Sequence, residues 1–145
     1  MNERRNERLG ILLWFRLARF YLQSNKRSNQ HLKKWGLSIS QFDLLVQIGT
    51  HQPLSQQELA ERLLVTKGNM THALGKLEKL GLVKREQEWR TKLITLTEKG
   101  ESLLADVLPE QQRFQAAQFD SLTNEEQLEL LRLLKKLQKS NNGLS

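Results

Sequence analysis

Apolar residues recur at helical intervals in the first part of the chain, with arginine and asparagine residues between them. From Leu9 to about Leu32 this pattern predicts one long helix. The recurring residues are Leu9, Leu12, Leu13, Phe15, Leu17, Phe20 and Tyr21. They occupy more than one face of the helix, so they exceed a single packed stripe. A partner subunit is the usual cover for such a surface in a short protein, and packing within the chain is the compatible alternative.

Helix-start signals then follow in quick succession. Ser38 and Gln41 have the spacing of a capping box and predict a helix over about 40–49, which Pro53 ends. A second capping box at residues 55–58 opens a short helix that ends near Leu64. Its apolar face consists of Leu59, Ala60, Leu63 and Leu64.

The next helix begins almost at once. Thr66 can cap a helix that runs to Leu80, and Gly81 closes it. Two short helices with so tight a connection predict a helix-turn-helix. Beyond Gly81, the β-branched and apolar segments 82–86 and 92–97 predict a two-stranded hairpin, the wing.

Two further helices complete the pattern. Thr97 caps a long helix that Pro109 is expected to kink or interrupt. A capping box at residues 123–126 opens the last helix, and the tail is expected to fray from Ser140. The last helix again has more leucines than one buried stripe can hold: Leu130, Leu131, Leu133, Leu134 and Leu137.

The predicted fold is mainly α with a small β-hairpin wing. It is a winged helix-turn-helix whose dimer forms through the N- and C-terminal helices. Residues 1–36 are predicted as a dimerisation helix, 37–100 as the winged helix-turn-helix region and 101–145 as further dimerisation helices, all within one compact chain.

Charge narrows the class of partner. The chain has 145 residues, 38% of them hydrophobic, and carries 23 Lys plus Arg against 16 Asp plus Glu, a net charge of +7. Such a balance favours polyanions, including nucleic acid and acidic membrane surfaces. Residues 66–85 form a basic strip. It contains one acidic residue, Glu78, and five basic ones: Lys67, Lys76, Lys79, Lys84 and Arg85.

Other classes of chemistry lack the residues they need. There is no cysteine, which excludes disulfides, thiolate metal sites and thiol redox sensing. The three histidines, His31, His51 and His72, lack metal-ligand spacing. The neighbouring carboxylates Glu86 and Glu88 are accompanied by no nucleophile and no phosphate-binding glycine loop. No enzyme activity, metal or cofactor is therefore expected. Arg16 interrupts the apolar run near the start, no segment is long enough to span a bilayer, and a cytoplasmic protein is expected.

The helix predicted from Thr66 to Leu80 has two unlike sides. Met70, Ala73, Leu74, Leu77 and Leu80 fall on one side and should pack inward. The other side is polar and positive, and its Gly75 suggests close approach of another molecule. The candidates for base edges or nearby phosphates are Thr66, Lys67, Asn69, Thr71 and His72. Lys76 and Lys79 are expected to hold phosphates.

Residue chemistry suggests individual roles. Asn69 suits bidentate recognition of adenine, Lys67 suits guanine or phosphate, and the methyl group of Thr71 suits a thymine methyl. In the wing, Arg90 is the candidate for the minor groove, and Glu88 can orient it from the same side of an extended strand. Trp89 either lies against a sugar or packs on the body of the protein, and packing is favoured.

A ligand site is a separate hypothesis. Aromatic residues cluster near the expected junction of the first and second helices, and the candidates for ligand binding are Trp14, Tyr21, Trp35 and Phe42. Membership of an ordinary core is the alternative for most of them.

Ordered segments across nearly the whole chain resemble the MarR family of winged-helix transcriptional regulators. The matching pieces are Leu37–Leu45, Gln57–Ala60, Val65–Lys67 with Thr71, Leu77–Arg85 and Ile94–Gly100. The resemblance implies a homodimer with a recognition helix in each major groove, wings in flanking minor grooves and a pseudo-palindromic operator. It also implies repression relieved by small aromatic or phenolic ligands.

Two positions depart from the family pattern. The family's wing motif D-x-R aligns with Glu88, Trp89 and Arg90, in a wing about three residues shorter than usual. His72 stands where the family commonly has arginine. The rival hypothesis is a winged-helix module that binds proteins and not DNA, because a fold does not determine a function.

Overall fold

The computed structural model describes residues 2–63 and 67–142. The elements are α1 (Asn2–Leu32), α2 (Ile39–His51), β1 (Leu54–Ser55), α3 (Gln56–Leu63), α4 (Lys67–Lys79), β2 (Val83–Glu88), β3 (Thr91–Leu96), α5 (Glu98–Ala117) and α6 (Asn124–Asn142). The chain divides into two compact units, Met1–Gln112 and Arg113–Ser145. The first unit contains the predicted winged helix-turn-helix, so the mainly α architecture with a hairpin wing is confirmed.

The first helix is longer than its apolar pattern predicted, because it begins at Asn2 in a polar segment. A short 3₁₀ turn, Lys33–Trp35, follows it. The N–H of Gly36, whose φ is 70°, donates to the carbonyl of Lys33 at 3.0 Å, and that of Leu37 donates to the carbonyl of Leu32 at 3.2 Å. These two bonds satisfy the carbonyls of Leu32, the last residue of α1, and of Lys33, the first residue of the turn, and the helical segment ends there.

The capping box predicted at the start of α2 is confirmed. The Gln41 N–H donates to Ser38 Oγ at 3.2 Å, and the Ser38 N–H donates to Gln41 Oε1 at 2.9 Å. The box predicted before α3 forms only in half. The Glu58 N–H donates to Ser55 Oγ at 3.2 Å, but the Glu58 carboxylate accepts from the Ser55 hydroxyl and not from its backbone N–H.

The predicted closure of α4 by Gly81 is confirmed. The Gly81 N–H donates to the carbonyl of Glu78 at 2.9 Å, the Leu82 N–H donates to that of Leu77 at 3.0 Å, and Gly81 has a φ of 74°. The Lys99 ammonium group adds a bond to the carbonyl of Leu80 at 2.9 Å. The predicted end of α3 at Leu64 and the predicted cap at Thr66 lie outside the described residues.

The sheet has three strands in the order β1-β3-β2, whereas the sequence predicted two. The extra strand is antiparallel to β3, with Leu54 opposite Ile94. A two-residue strand is too short to show alternation, which is why the pattern missed it. The hairpin also extends further toward its tip than predicted, because Gln87 and Glu88 pair with Lys92 and Thr91 and leave a two-residue turn.

Pro109 lies inside α5 and does not interrupt it, so that alternative of the expectation is wrong. The carbonyl that the proline ring deprives of its partner belongs to Ala105, which is solvent exposed and can bond to water. The Gly100 N–H donates to Thr97 Oγ1 at 3.0 Å, which confirms Thr97 as the cap of α5.

The last helix has the predicted capping box. The Thr123 N–H donates to Glu126 Oε1 at 2.9 Å, and the Glu126 N–H donates to Thr123 Oγ1 at 3.1 Å. Helix α6 continues to Asn142, two residues beyond the predicted start of fraying at Ser140, and residues 143–145 lie outside the described residues.

The core of the first unit brings together the helix-turn-helix, the sheet and α5. Its fully buried members include Leu45, Ile48, Leu59, Met70, Leu74, Leu77, Ile94 and Val107. Leu80, predicted to pack inward, is 44% exposed because the turn after α4 carries it away from the core. A Cβ on Gly100 would lie 2.0 Å from the carbonyl oxygen of Leu82, so the packing of α5 against this turn requires glycine there.

Candidate nucleic-acid interface

Helix α4 has the two-sided character that a recognition helix needs. Met70, Leu74 and Leu77 are buried and fasten the helix to the core. The side facing away from the core carries exposed polar and cationic residues: Asn69, Thr71, His72, Lys76 and Lys79. All five were predicted to contact DNA, and the structure brings them together on one helix. Thr66 and the side chain of Lys67 lie outside the described residues, although Lys67 begins α4.

One edge of α4 is joined to neighbouring elements by side chains. The Gln56 amide Nε2 donates to Thr71 Oγ1 at 2.7 Å, and Gln56 Oε1 accepts from Arg85 Nη1 at 3.3 Å. Arg85 Nε donates to the Glu78 carboxylate, which completes a network across α3, α4 and β2. We call Gln56, Thr71, Glu78 and Arg85 the edge network. It fixes the Thr71 hydroxyl, so the methyl group remains the side-chain part suited to a thymine contact.

The network also revises the predicted basic strip. Glu78 neutralises Arg85, and Lys84 pairs with Glu86 at 3.2 Å on the exposed surface of β2. The unpaired positive charge of this segment therefore comes from α4 itself, through Lys76 and Lys79 among the described side chains. Sequence reasoning missed Gln56, because a glutamine inside a capping segment carries no signal for a contact fifteen residues away.

The opposite edge of α4 borders a cavity of about 510 Å³ between α1, α2 and α4. Its polar lining includes Asn69, His72 and Lys76 from α4, with Tyr21 and Asp43 across from them. Asp43 is solvent exposed as a residue, yet partial burial of its carboxyl group raises its pKa. A ligand in this cavity would touch the same side chains that are predicted to meet DNA.

Two glycines leave the outward side of α4 unusually bare. A Cβ built on Gly68 or Gly75 would meet nothing within 4 Å, so no packing inside the protein requires glycine at either position. Glycine within a helix destabilises it by about 1 kcal/mol relative to alanine. Close approach of another molecule to the helix backbone at Gly75 stays a prediction.

The tip of the wing differs from the prediction. Trp89 does not pack on the body of the protein but is 90% exposed, because it occupies the two-residue turn between β2 and β3. Strand β2 ends at Glu88, so Arg90 lies in the turn and not on the same extended strand. The Arg90 guanidinium lies 5.6 Å from the centre of the Trp89 ring, a cation–π contact, and no ion pair joins it to Glu88 in the described part of the chain.

The four candidate ligand residues do not share one site. Trp14 is 70% exposed on α1, and Phe42 is buried in the core. Tyr21 borders the cavity beside α4, whereas Trp35 borders a different cavity of about 430 Å³ near the start of α5. Of the four residues, only Tyr21 reaches the cavity that the α4 side chains line.

Residues 2–63 and 67–142 hold no group of three or more His, Asp or Glu side chains arranged to bind a metal ion. None of their helices is long and apolar enough to cross a membrane.

Two short helices, α3 and α4, with three residues between them, an exposed cationic face on α4 and the hairpin of β2 and β3 together define a winged helix-turn-helix protein. A family model described as MarR family matches residues 35–88. An uncharacterized HTH-type transcriptional regulator of Bacillus anthracis is 50% identical over 127 residues, which are 88% of this chain and 86% of the relative. The chain therefore belongs to the MarR family.

Two more comparisons agree with this assignment. The uncharacterized HTH-type transcriptional regulator YkoM of Bacillus subtilis (strain 168) is 33% identical over 138 residues, 93% of this chain and 89% of the relative. A crystal structure of a mutant MarR from E. coli complexed with operator DNA aligns with a TM-score of 0.82 at 25% identity. That alignment covers 88% of this chain and 94% of the E. coli chain.

Proposed function

We propose that this protein is a sequence-specific transcriptional regulator that binds double-stranded DNA through α4 and the hairpin of β2 and β3. The exposed face of α4 carries the proposal, since polar and cationic side chains stand there opposite a fully buried apolar stripe. That arrangement suits a helix lying in the major groove. The similarity to MarR, whose structure was solved with operator DNA, adds support.

The protein acts as a homodimer on a pseudo-palindromic operator in this proposal. Helix α1 exposes a series of large apolar residues: Leu9, Ile11, Leu12, Leu13, Trp14, Phe15, Leu17, Phe20, Tyr21 and Leu22. Helix α6 likewise exposes Leu128, Leu131, Leu133 and Leu137. Surfaces of this kind mark interfaces between subunits. A two-fold dimer then presents α4 twice to one duplex.

The primary experiment is a gel shift with an operator selected from a random DNA pool, performed at several salt concentrations. Specific binding whose affinity falls steeply as salt rises is the expected result, because phosphate contacts release counterions. Lys76→Ala should weaken all sequences alike and lower the salt slope by about one per site. Asn69→Ala should mainly relax discrimination at one base pair, at a cost of about 1–3 kcal/mol.

Lys136→Ala is the matched control, because it removes an exposed lysine from α6. Its affinity should equal that of the wild type. If Lys76→Ala and Asn69→Ala both bind like the wild type, the assigned face of α4 is wrong.

We further propose that the regulator is a repressor and that a small aromatic or phenolic ligand releases it. The cavity beside α4 supports this step, since a ligand among Tyr21, Asn69 and His72 would compete with DNA for the same side chains. Thermal-shift screening with phenolic compounds tests it. A hit should raise the melting temperature of the wild type and displace DNA, and a screen with no shift beyond solvent controls contradicts it.

A winged-helix module that binds another protein is the second candidate. It predicts no retained sequence in the random DNA pool and no salt-dependent duplex binding at any concentration tested. The cations at Lys76 and Lys79 favour the first candidate, because a protein-binding face is usually depleted of lysine.

A further inference from the structure

Trp89 is the most exposed of the large hydrophobic side chains in the described residues, at 90%. It lies at the end of the hairpin, where every residue from Glu86 to Lys92 is exposed. The tip thus projects from the body of the first unit. The Trp89 indole therefore stays in contact with water and does not contribute to the core of its own chain.

The backbone conformation of Trp89 is one that bulky residues rarely adopt. Trp89 has a φ of 61°, in the left-handed region, and it begins the two-residue turn between paired residues Glu88 and Thr91. Glycine is the residue that adopts this conformation without steric cost, and a bulky side chain is rare there. Gln87 supports the turn, since its Nε2 donates to the carbonyl of Trp89 at 3.0 Å.

The immediate neighbours of the indole are suited to a polyanion. The Arg90 guanidinium packs over the ring at 5.6 Å, and Lys92 is exposed one residue into β3. Glu86 is paired with Lys84, which leaves Glu88 as the nearby acid outside an ion pair in the described part of the hairpin. An apolar ring with one guanidinium packed over it therefore lies at the end of the hairpin.

We propose that the Trp89 indole enters the minor groove beside the operator half-site and wedges against a base step there. This inference rests on the proposed DNA-binding function and assigns a contact to one side chain of the wing. Apolar side chains enter minor grooves in this manner, where they partly unstack neighbouring bases. The two-residue turn makes the tip narrow, which suits a groove about 6 Å wide. Pyrimidine–purine steps, which unstack most easily, are the expected sites of the wedge.

Measurements of affinity and of its salt dependence distinguish the contribution of the Trp89 ring to DNA binding from that of the neighbouring charges. Trp89→Gly removes the ring and suits the left-handed backbone, so the turn is retained; it should weaken binding about tenfold. Its plot of log affinity against log salt should keep the wild-type slope, because the indole carries no charge. Trp89→Phe keeps an aromatic ring and should stay within about threefold of the wild type. Arg90→Ala should instead lower the slope by about one per site.

A fluorescent base gives the direct readout. Duplexes carry 2-aminopurine in place of adenine at each flanking position in turn, since its emission rises when it is unstacked. Wild-type protein and Trp89→Phe should raise the emission at one flanking step, and Trp89→Gly should not.

The outcomes distinguish the inference from the function on which it rests. If the wild type binds its operator while Trp89→Gly binds equally well, or weakens without a ring-dependent change in 2-aminopurine emission, the wedge is overturned and the regulator assignment stands. If no duplex is bound by any of the proteins, the proposed function itself fails.

Discussion

Apolar side chains are buried in the central winged-helix region, whereas many of those on the first helix are exposed. In the central region, Leu45, Ile48, Leu74 and Ile94 are all fully buried. Along α1, Phe15 is 64% exposed and many of its apolar neighbours are exposed with it. The central region is therefore a fold completed by one chain. In α1 only the C-terminal end joins that core, through Leu32, and the large apolar residues from Leu9 to Leu22 stay exposed.

The two regions differ in whether they need a partner subunit. The α4 face is held in place by contacts within the chain, so its geometry does not depend on a partner. The spacing of two such faces on one duplex does depend on a partner, through surfaces such as that of α1. Disrupting either region should therefore produce a different kind of defect.

The largest effect is expected from a charge in the apolar surface of α1. Phe15→Glu should convert the dimer to a monomer, because a carboxylate would be buried without a partner at the subunit interface. Operator affinity should fall about 100-fold or more, since two linked half-site contacts become one. Analytical ultracentrifugation and gel shifts on the same samples measure the two changes.

Gln23→Glu is the matched control, because it places a carboxylate at an exposed polar position of the same helix. It should leave the dimer and the affinity unchanged. A Phe15→Glu protein that remains a dimer with full affinity would show that α1 does not join the subunits.

A smaller effect, on stability, is expected from the edge network of the central region. Glu78→Ala leaves the half-buried Arg85 guanidinium without its carboxylate and should lower the free energy of unfolding by about 1–2 kcal/mol. Urea denaturation measures this change. The control is Glu86→Ala, which breaks the exposed pair with Lys84 and should change stability by about 0.5 kcal/mol or less. Equal effects of the two variants would mean that the network does not stabilise the helix-turn-helix.

The parts of the fold that local signals specify were predictable from sequence. The capping residues Ser38, Thr97 and Thr123 and the closing glycine Gly81 all act as their spacing indicated. Such signals are local, because each joins groups within a few residues. Strand β1 was missed, since its pairing depends on where α2 and β3 meet and two residues carry no period.

The candidate site was predictable as a face but not as a set of contacts. Helical periodicity correctly separated the buried Met70 from the exposed Asn69 and Lys76. It could not reveal that Arg85 is neutralised by Glu78, because the two residues meet only after β2 folds back beside α4. It also misplaced Trp89, since large aromatic residues are more often buried and the turn position of this one was not evident.

Gly75 offers a test in which stability and function should move in opposite directions. Gly75→Ala should raise the free energy of unfolding by about 0.5–1 kcal/mol, because the added methyl group meets open space and alanine favours helix. Operator affinity should fall several-fold if DNA approaches the helix backbone there. A Gly75→Ala protein with unchanged affinity would place the duplex farther from α4.

The smallest expected effect concerns Asp43, at the cavity beside α4. Partial burial raises the pKa of its carboxyl group, so the folded protein binds that proton more tightly than the unfolded chain does. The associated stability is complete below the ordinary pKa of an aspartate and is lost as the pH rises through the raised value. Asp43→Asn should therefore match the wild-type urea midpoint at pH 3 and exceed it at pH 7. A variant less stable than the wild type at pH 7 would show instead that His72 and Lys76, which line the same cavity, stabilise the ionised carboxylate more than burial penalises it. In that event the cavity edge of α4 would be held by internal electrostatics, as the opposite edge is by the edge network.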